Sequence, residues 1–186
     1  MPTYEEALAL FHEWTESDSL RRHAYAVEAG MAAYAGFFGE DIEAWRITGL
    51  LHDMDYEKHP TMDEHPHVGV ARLRELGYPE EMAEAILGHA AYTGVERRTR
   101  LARTLFAVDE LAGFITACAY VRPTGLDGLE PRSVRKKLKD KAFAAAVSRE
   151  DIRIGVEELG VDLDEHIARV IAGMAADVDR IIPGSR

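Results

Sequence analysis

The sequence has few of the features that mark secreted or membrane proteins. It contains a single cysteine, Cys118, which excludes an internal disulfide and suits a reducing compartment. No run approaches the about 18 apolar residues that a membrane-spanning helix needs, and the N-terminal segment lacks the basic start of a signal peptide. We therefore expect a cytoplasmic protein that does not bind membranes.

Basic residues are also scarce, with 22 Lys and Arg against 33 Asp and Glu and a net charge of −11. This balance argues against nucleic acid as a partner, because phosphate backbones are held by clustered cations. Residues 132–141 are the exception, with six basic residues against one acid, which leaves −16 for the rest of the chain. That segment either attracts an anionic ligand or forms a solvated helix face.

Strand patterns are missing, whereas helix signals recur along all 186 residues. Thr3 with Glu6 and Ser148 with Asp151 have capping spacing, and Pro79 is typical of a first helical position. We predict one compact all-α domain over residues 1–186. The predicted helices run from Thr3 to Trp14, Leu20 to Phe37, Ile42 to His52, up to Leu76, from Pro79, from Thr99 to Val121, from a Ser133 cap, from Ser148 to Gly160, and from Asp162 or Asp164 to Ile182.

Four of these helices carry an ionisable residue where an apolar one would face the core. His23 follows the spacing of Leu20, Val27 and Met31 on one helix face. Similar apolar stripes contain His89 and Asp109, and the apolar run Gly49–Leu51 is followed at once by His52 and Asp53.

A buried carboxylate is costly unless a charge or a metal compensates it. A lone buried histidine is usually just hydrogen-bonded, and a lone aspartate usually pairs with a cation on another helix. Separate partners for each group are less economical than one divalent cation that satisfies them together. Two histidines and two aspartates suit Mn, Fe, Co, Ni or Zn better than Ca.

The ordered set of His23, His52–Asp53 in GLLHDMD and Asp109 in LFAVDEL resembles the HD superfamily of metal-dependent phosphohydrolases. The segment HPHVGV, starting at His65, is similar to the family's His-Pro-x-Ile-Gly-Ala element, and AILGH ends at His89 as a further family element does. The resemblance is specific over about residues 20–115, the HD-type core. Residues 124–183 would be a C-terminal helical extension, and the segment after residue 110 resembles an uncharacterised bacterial subgroup.

The resemblance implies that His23, His52, Asp53 and Asp109 bind one metal, with His52, Asp53 and Asp109 as catalytic residues. His65 and His89 match the positions that hold a second metal in some members, with Asp53 as the bridge. The HD-type diadenosine tetraphosphate hydrolases share this fuller pattern. The Gly-Tyr-Pro signature of the cyclic-di-GMP phosphodiesterases is missing, and His89–Ala90 replaces the two consecutive histidines of many members.

The expected activity is hydrolysis of a phosphoester in a small, anionic, nucleotide-like substrate. Arg122, Lys136 and Lys137 are candidates, by charge, to hold the substrate phosphate. The alternatives are a non-catalytic nucleotide-binding or regulatory module and a purely structural helical domain.

Several other residues invite a role. Asp55, Glu57 and Glu110 lie near ligands in the chain and either orient a ligand imidazole or face solvent. We expect His12, His59 and His166 at the surface or in local helix capping, His67 at the surface, Cys118 in the core, and Trp14 and Trp45 in helix packing.

Overall fold

The computed structural model describes residues 1–184, and over these residues it contains helices and no strands. The all-α prediction is confirmed. No helix in this part of the chain is both long and apolar enough to cross a membrane. The helices are α1 (Tyr4–Trp14), α2 (Asp18–Phe38), α3 (Ile42–Leu51), α4 (His67–Glu75), α5 (Glu80–His89), α6 (Arg100–Tyr120), α7 (Pro131–Leu138), α8 (Arg149–Leu159), α9 (Leu163–Ala176) and α10 (Val178–Ile181), with a 3₁₀ turn at Ala91–Thr93.

Local capping explains where most of these helices begin and end. Thr3 accepts a hydrogen bond from the Glu6 amide, and the Glu6 carboxylate accepts one from Thr3, so the predicted capping box is present. Gly39 and Gly160 end α2 and α8 in the left-handed conformation, with φ of 71° and 70°. These boundaries follow from residues within one turn of the helix end.

Three predicted helix boundaries are wrong. Pro79 is not the first residue of α5 but precedes it, with an extended backbone (ψ 143°). Ser133 does not cap α7, which begins at Pro131 because proline is favoured in the first helical turn. The last predicted helix is two helices, since the backbone leaves helical geometry at Asp177 (φ −128°, ψ 33°) before α10 begins.

The two 21-residue helices, α2 and α6, form the centre of the molecule, and the C-terminal extension packs directly on them. A Cβ at Gly155 of α8 would lie 2.6 Å from the Cα of Ala107 on α6. A Cβ at Gly173 of α9 would lie 2.5 Å from the carbonyl oxygen of Ala29 on α2. Only glycine permits these helices to approach so closely, and the apolar residues of core and extension form one buried cluster. The single-domain organisation stays a prediction.

His166 is buried and bonds to residues far away in the chain, so its predicted place at the surface or in a local cap is wrong. Its side chain is fully inaccessible and joins three helices. The Tyr34 hydroxyl donates to Nδ1, and Nε2 donates to the carbonyl oxygen of Ala107. Burial lowers the pKa of His166 to about 4, so this imidazole is neutral and satisfied.

Candidate metal centre

The ionisable residues predicted to meet come from five separate places in the fold. His23 lies on α2, His52 ends α3 with Asp53 directly after it, and Asp109 lies near the middle of α6. His65 precedes α4, and His89 is the last residue of α5. The fold brings all six together, since each histidine Nε2 lies within 4 Å of an Asp53 or Asp109 oxygen.

The first group of ligand atoms surrounds the Oδ2 atom of Asp53 and the Oδ1 atom of Asp109. The Nε2 atom of His23 lies 3.0 Å from Asp109 Oδ1 and 3.9 Å from Asp53 Oδ2. The Nε2 atom of His52 lies 3.5 Å from each of the same two oxygens. Ligands at 2.0–2.2 Å from one ion are separated by about 3.0–3.6 Å. Three of these four distances fit a shared cation, and the 3.9 Å between His23 and Asp53 is slightly longer.

The second group surrounds the other oxygen of Asp53. The Nε2 atoms of His65 and His89 lie 3.3 and 3.1 Å from Asp53 Oδ1. The carboxylate of Asp53 therefore faces one pair of histidines with each of its oxygens. Two sets of potential ligand atoms lie mutually within 4.8 Å, His23–His52–Asp109 and His52–Asp53–His89, and His65 is a member of neither.

The opposite ring nitrogen of three histidines is held by an acceptor. His52 Nδ1 bonds to the Gly49 carbonyl oxygen at 2.7 Å, and His89 Nδ1 bonds to the Ile86 carbonyl oxygen. His65 Nδ1 lies 2.7 Å from Asp55 Oδ1. An Nδ1–H that donates to such an acceptor leaves the lone pair on Nε2, which is the orientation that metal-binding histidines adopt.

His52 provides the direct test of whether these residues fit a metal. Its side chain is fully buried, and its Nε2 atom has no hydrogen-bond partner. A buried polar atom without a partner costs about 1–3 kcal/mol, and a cation between Nε2 and the two carboxylates removes that cost. The donor set of imidazoles and carboxylates suits a divalent transition metal.

The pKa shifts of the centre show that it strongly favours positive charge. Burial disfavours the charged form of His52, yet Asp53 and Asp109 outweigh burial and raise its pKa to about 9. The pKa of His89 is also raised, since Asp53 offsets its burial. Burial alone would raise the pKa values of Asp53 and Asp109, but the neighbouring imidazoles hold both below their ordinary range. The carboxylates are therefore ionised and ready to bind a cation.

Residues 20–113, just over half of the chain, match the family model described as the HD domain. This chain belongs to the HD domain family. The family's members are in general metal-dependent hydrolases. No curated protein and no solved structure matches the chain significantly.

An open cleft of about 440 Å³ leads to the ligand cluster of the HD domain. Tyr56 and Tyr92 line it, and these residues are 42% and 45% exposed. Ala146, Val147 and Asp151 also line it, although they belong to the C-terminal extension beyond the matched residues. The extension therefore supplies one wall of the cleft.

Two interactions hold this wall in place. The Glu110 Oε2 atom on α6 accepts a hydrogen bond of 2.9 Å from the Ser148 amide at the start of α8. The Arg149 guanidinium donates to four carbonyl oxygens of the preceding loop, those of Asp140, Phe143, Ala144 and Val147. Ala144 has a left-handed φ of 45° in this loop, which costs a residue with a Cβ on the order of 1–2 kcal/mol.

The residues considered as helpers of the ligands have three different roles. Asp55 is buried, binds His65 through Oδ1, and accepts a 2.6 Å hydrogen bond from the Gly69 amide through Oδ2. Glu57 instead accepts from the Glu16 and Ser17 amides at the protein surface. Burial, followed by the charge of Asp109, raises the pKa of Glu110 to about 7. Of these three acids, Asp55 is the one that orients an imidazole of the cluster, that of His65.

The three cations suggested for phosphate binding lie elsewhere. Arg122, Lys136 and Lys137 line a separate pocket of about 330 Å³ beside Cys118, at the C-terminal end of α6. Arg122 follows Asp109 by 13 residues, which is roughly 20 Å along a helix. Its guanidinium donates to the carbonyl oxygens of Gly125 and Asp127 and to Thr124 Oγ1. The structure does not bring these cations to the cleft.

Four further residues lie where the sequence predicts them, and three cleft residues were missed. His12 and His67 are exposed, and Trp45 and Cys118 are buried, as expected. Burial raises the pKa of Cys118 to about 11, which makes its thiol a poor nucleophile. Tyr56, Tyr92 and Asp151 were not found from the sequence as cleft residues. No local pattern marks them, because their places depend on how distant segments pack.

Proposed function

We propose that the protein hydrolyses a phosphoester bond in a small, nucleotide-like substrate with a metal-activated water. The observation that carries this proposal is the buried Nε2 atom of His52, which has no hydrogen-bond partner and lies 3.5 Å from each of two carboxylates. His23, His52, Asp53 and Asp109 would hold one cation. His65 and His89 would hold a second, with Asp53 shared between the two sites.

Each residue of the centre has a definable task. When bound, a divalent cation supplies Lewis acidity toward a phosphoryl oxygen and lowers the pKa of water. The acceptors on Nδ1 fix the imidazoles of His52 and His89, so their Nε2 lone pairs are presented without rearrangement. Asp55 does the same for His65. The remaining space of the cleft admits the substrate.

The cleft also supports the kind of substrate proposed. Its volume of about 440 Å³ lies in the range of small-molecule sites. The partly exposed rings of Tyr56 and Tyr92 at the cleft offer flat apolar surfaces on which a nucleobase can stack. We place the protein in the cytoplasm, because its single cysteine suits a reducing compartment.

The decisive experiment joins elemental analysis to a screen of nucleotides and dinucleoside polyphosphates. We expect one or two transition-metal equivalents per chain, and we expect Asp53→Ala to remove both metal and activity. Asp63→Ala removes the same charge at an exposed position outside the ligand cluster, so it should keep both. Phosphoester hydrolysis by metal-free protein would contradict the mechanism. Metal-loaded protein that binds nucleotides without turnover would favour the regulatory alternative.

A further inference from the structure

The charge of the cleft is unusual for a site that receives phosphate. Four of the residues that line it are acids, namely Asp53, Asp109, Glu110 and Asp151. None of its lining residues within the described part of the chain is lysine or arginine. The cations that enzymes commonly place around a chain of phosphates are therefore missing from this wall.

The four acids divide into two pairs. Asp53 and Asp109 belong to the ligand cluster, so cations held there offset their charge. The Glu110 Oε2 atom accepts a hydrogen bond from the Ser148 amide. Asp151, on the first turn of α8, belongs to the wall that the extension supplies.

The Asp151 side chain does not make the capping hydrogen bond that its position in the helix predicts. In a capping box the cap residue accepts from the third residue's amide, and that residue's side chain accepts from the cap amide. Ser148 Oγ does accept from the Asp151 amide at 3.1 Å. The Ser148 amide, however, donates to Glu110 rather than to Asp151.

The Asp151 carboxylate is consequently without a hydrogen bond or an ion pair to any described residue, and it faces the cleft. The basic residues of the extension do not compensate it. Arg149 is occupied by four carbonyl oxygens of its own loop, and Lys136 and Lys137 line the separate pocket beside Cys118. A ligand in this part of the cleft meets an unpaired negative charge.

We infer that Asp151, on the wall of the cleft that the extension supplies, determines which substrates bind. It favours a substrate with a single phosphoryl group and an uncharged or cationic leaving group that donates hydrogen bonds. It excludes a substrate that carries a second phosphate. This inference rests on the proposed function. The first phosphoryl group is held at the metal ligands, whereas a second one would lie among carboxylates with no cation to offset it. Repulsion of roughly 1.4 kcal/mol, the size expected for a like charge about 6 Å away in a partly solvated cleft, weakens binding about tenfold.

The test compares adenosine 5′-monophosphate with adenosine 5′-diphosphate on the metal-loaded full chain. Hydrolysis is followed as kcat/KM, and binding is measured in parallel with analogues in which a methylene carbon replaces the ester oxygen. The wild-type protein should prefer the monophosphate by about tenfold in both measurements. Asp151→Asn should narrow the preference several-fold, and Asp151→Lys should reverse it.

Glu150→Gln is the matched control, since it removes one negative charge from the adjacent, exposed residue that pairs with Arg153. It should leave the preference unchanged. Each nucleotide has the same affinity for free metal whichever variant is present. A change between variants in the preference for monophosphate over diphosphate therefore measures the effect of Asp151. Should Asp151→Lys fail to fold, as judged by its melting temperature, the conservative Asp151→Asn decides.

The outcomes separate the two proposals. Equal preferences in the wild-type protein and both Asp151 variants, or a wild-type protein that favours the diphosphate, would overturn the inference while hydrolysis itself supports the proposed function. If the analogues bind with the expected preference but neither nucleotide is hydrolysed, the selective wall stands and the proposed function fails.

Discussion

Two buried histidines of this protein, His52 and His166, have opposite electrostatic surroundings. Their exposures are 1% and 0%, so burial does not distinguish them. Two carboxylates raise the pKa of His52 to about 9 in spite of its burial, and its Nε2 atom has no hydrogen-bond partner. Burial lowers the pKa of His166 to about 4, and both of its ring nitrogens are bonded.

The difference shows what separates a ligand from a structural histidine. A structural histidine has one donor and one acceptor on opposite sides of the ring, as Tyr34 and Ala107 provide for His166. A histidine placed to bind a metal has one ring nitrogen satisfied and the other directed at carboxylates that need a cation, and the surroundings of His52 have this form. The same substitution at the two positions should therefore have different consequences.

The largest effect is expected from His52→Ala, which removes a ligand of the first group. Activity should fall by at least about a hundredfold together with metal content, because loss even of groups that only support a ligand costs 10–100-fold. His166→Ala should instead lower the free energy of unfolding by about 2–4 kcal/mol, through the cavity and the unpaired partners, and keep the metal. Elemental analysis and denaturant unfolding measure both, and equal metal loss in the two variants would contradict the comparison.

The next effect is a loss of stability in acid that depends on His166. The pKa of His166 is about 4 in the folded state against an ordinary value of 6.5, so the unfolded chain binds more protons between these pH values. The free energy of unfolding therefore falls as pH drops from 6.5 to 4, by about 3 kcal/mol from this residue. His166→Gln, which cannot titrate but can still bond to both partners, should show a weaker pH dependence. Parallel curves for the two proteins in urea titrations would exclude this origin.

A smaller effect is expected from Gly69→Ala, which tests the buried His65. A Cβ at this position would lie 2.9 Å from the Asp55 carboxyl carbon, so the carboxylate must shift, which disturbs its contact with His65. We expect metal affinity at the second group to fall about 10–100-fold, as supporting acceptors do when lost, with the first group retained. Gly36→Ala is the control, since its Cβ would meet nothing within 4 Å. Metal titration followed by calorimetry distinguishes the two sites.

The smallest effect is expected from Lys136→Gln and Lys137→Gln. Both lysines line the pocket beside Cys118 and not the cleft, so neither is placed to contact a substrate bound there. Values of kcat/KM should stay within about twofold of the wild-type protein. A tenfold loss would place these cations on the substrate after all.

The helices were predictable where their signals are local. The Thr3–Glu6 capping box and the left-handed Gly39 and Gly160 depend on neighbouring residues in the chain. The convergence of His23, His52, Asp53 and Asp109 was also predictable, because four interior ionisable residues need a common partner. Their assignment as ligands stays a prediction until metal is measured.

No local pattern predicts three other features: the buried position of His166, the unpaired carboxylate of Asp151 and the place of the basic segment. These features depend on contacts between residues that are far apart in the chain. His166 is satisfied by residues 132 and 59 positions away. Asp151 has the spacing of a capping residue, and only the approach of Glu110 from α6 releases it. The basic segment was correctly seen as a local reversal of charge, but its placement away from the cleft follows from the packing of α7.

The four hydrogen bonds of Arg149 affect how a loss of activity in an Arg149 variant would be interpreted. This one guanidinium shapes the loop that continues into the cleft wall, including the disfavoured backbone of Ala144. Losing it would let that backbone relax and carry Val147 and Asp151 with it. A survey scored by turnover alone would count Arg149 among the catalytic groups, although it would act only by keeping the entrance in shape.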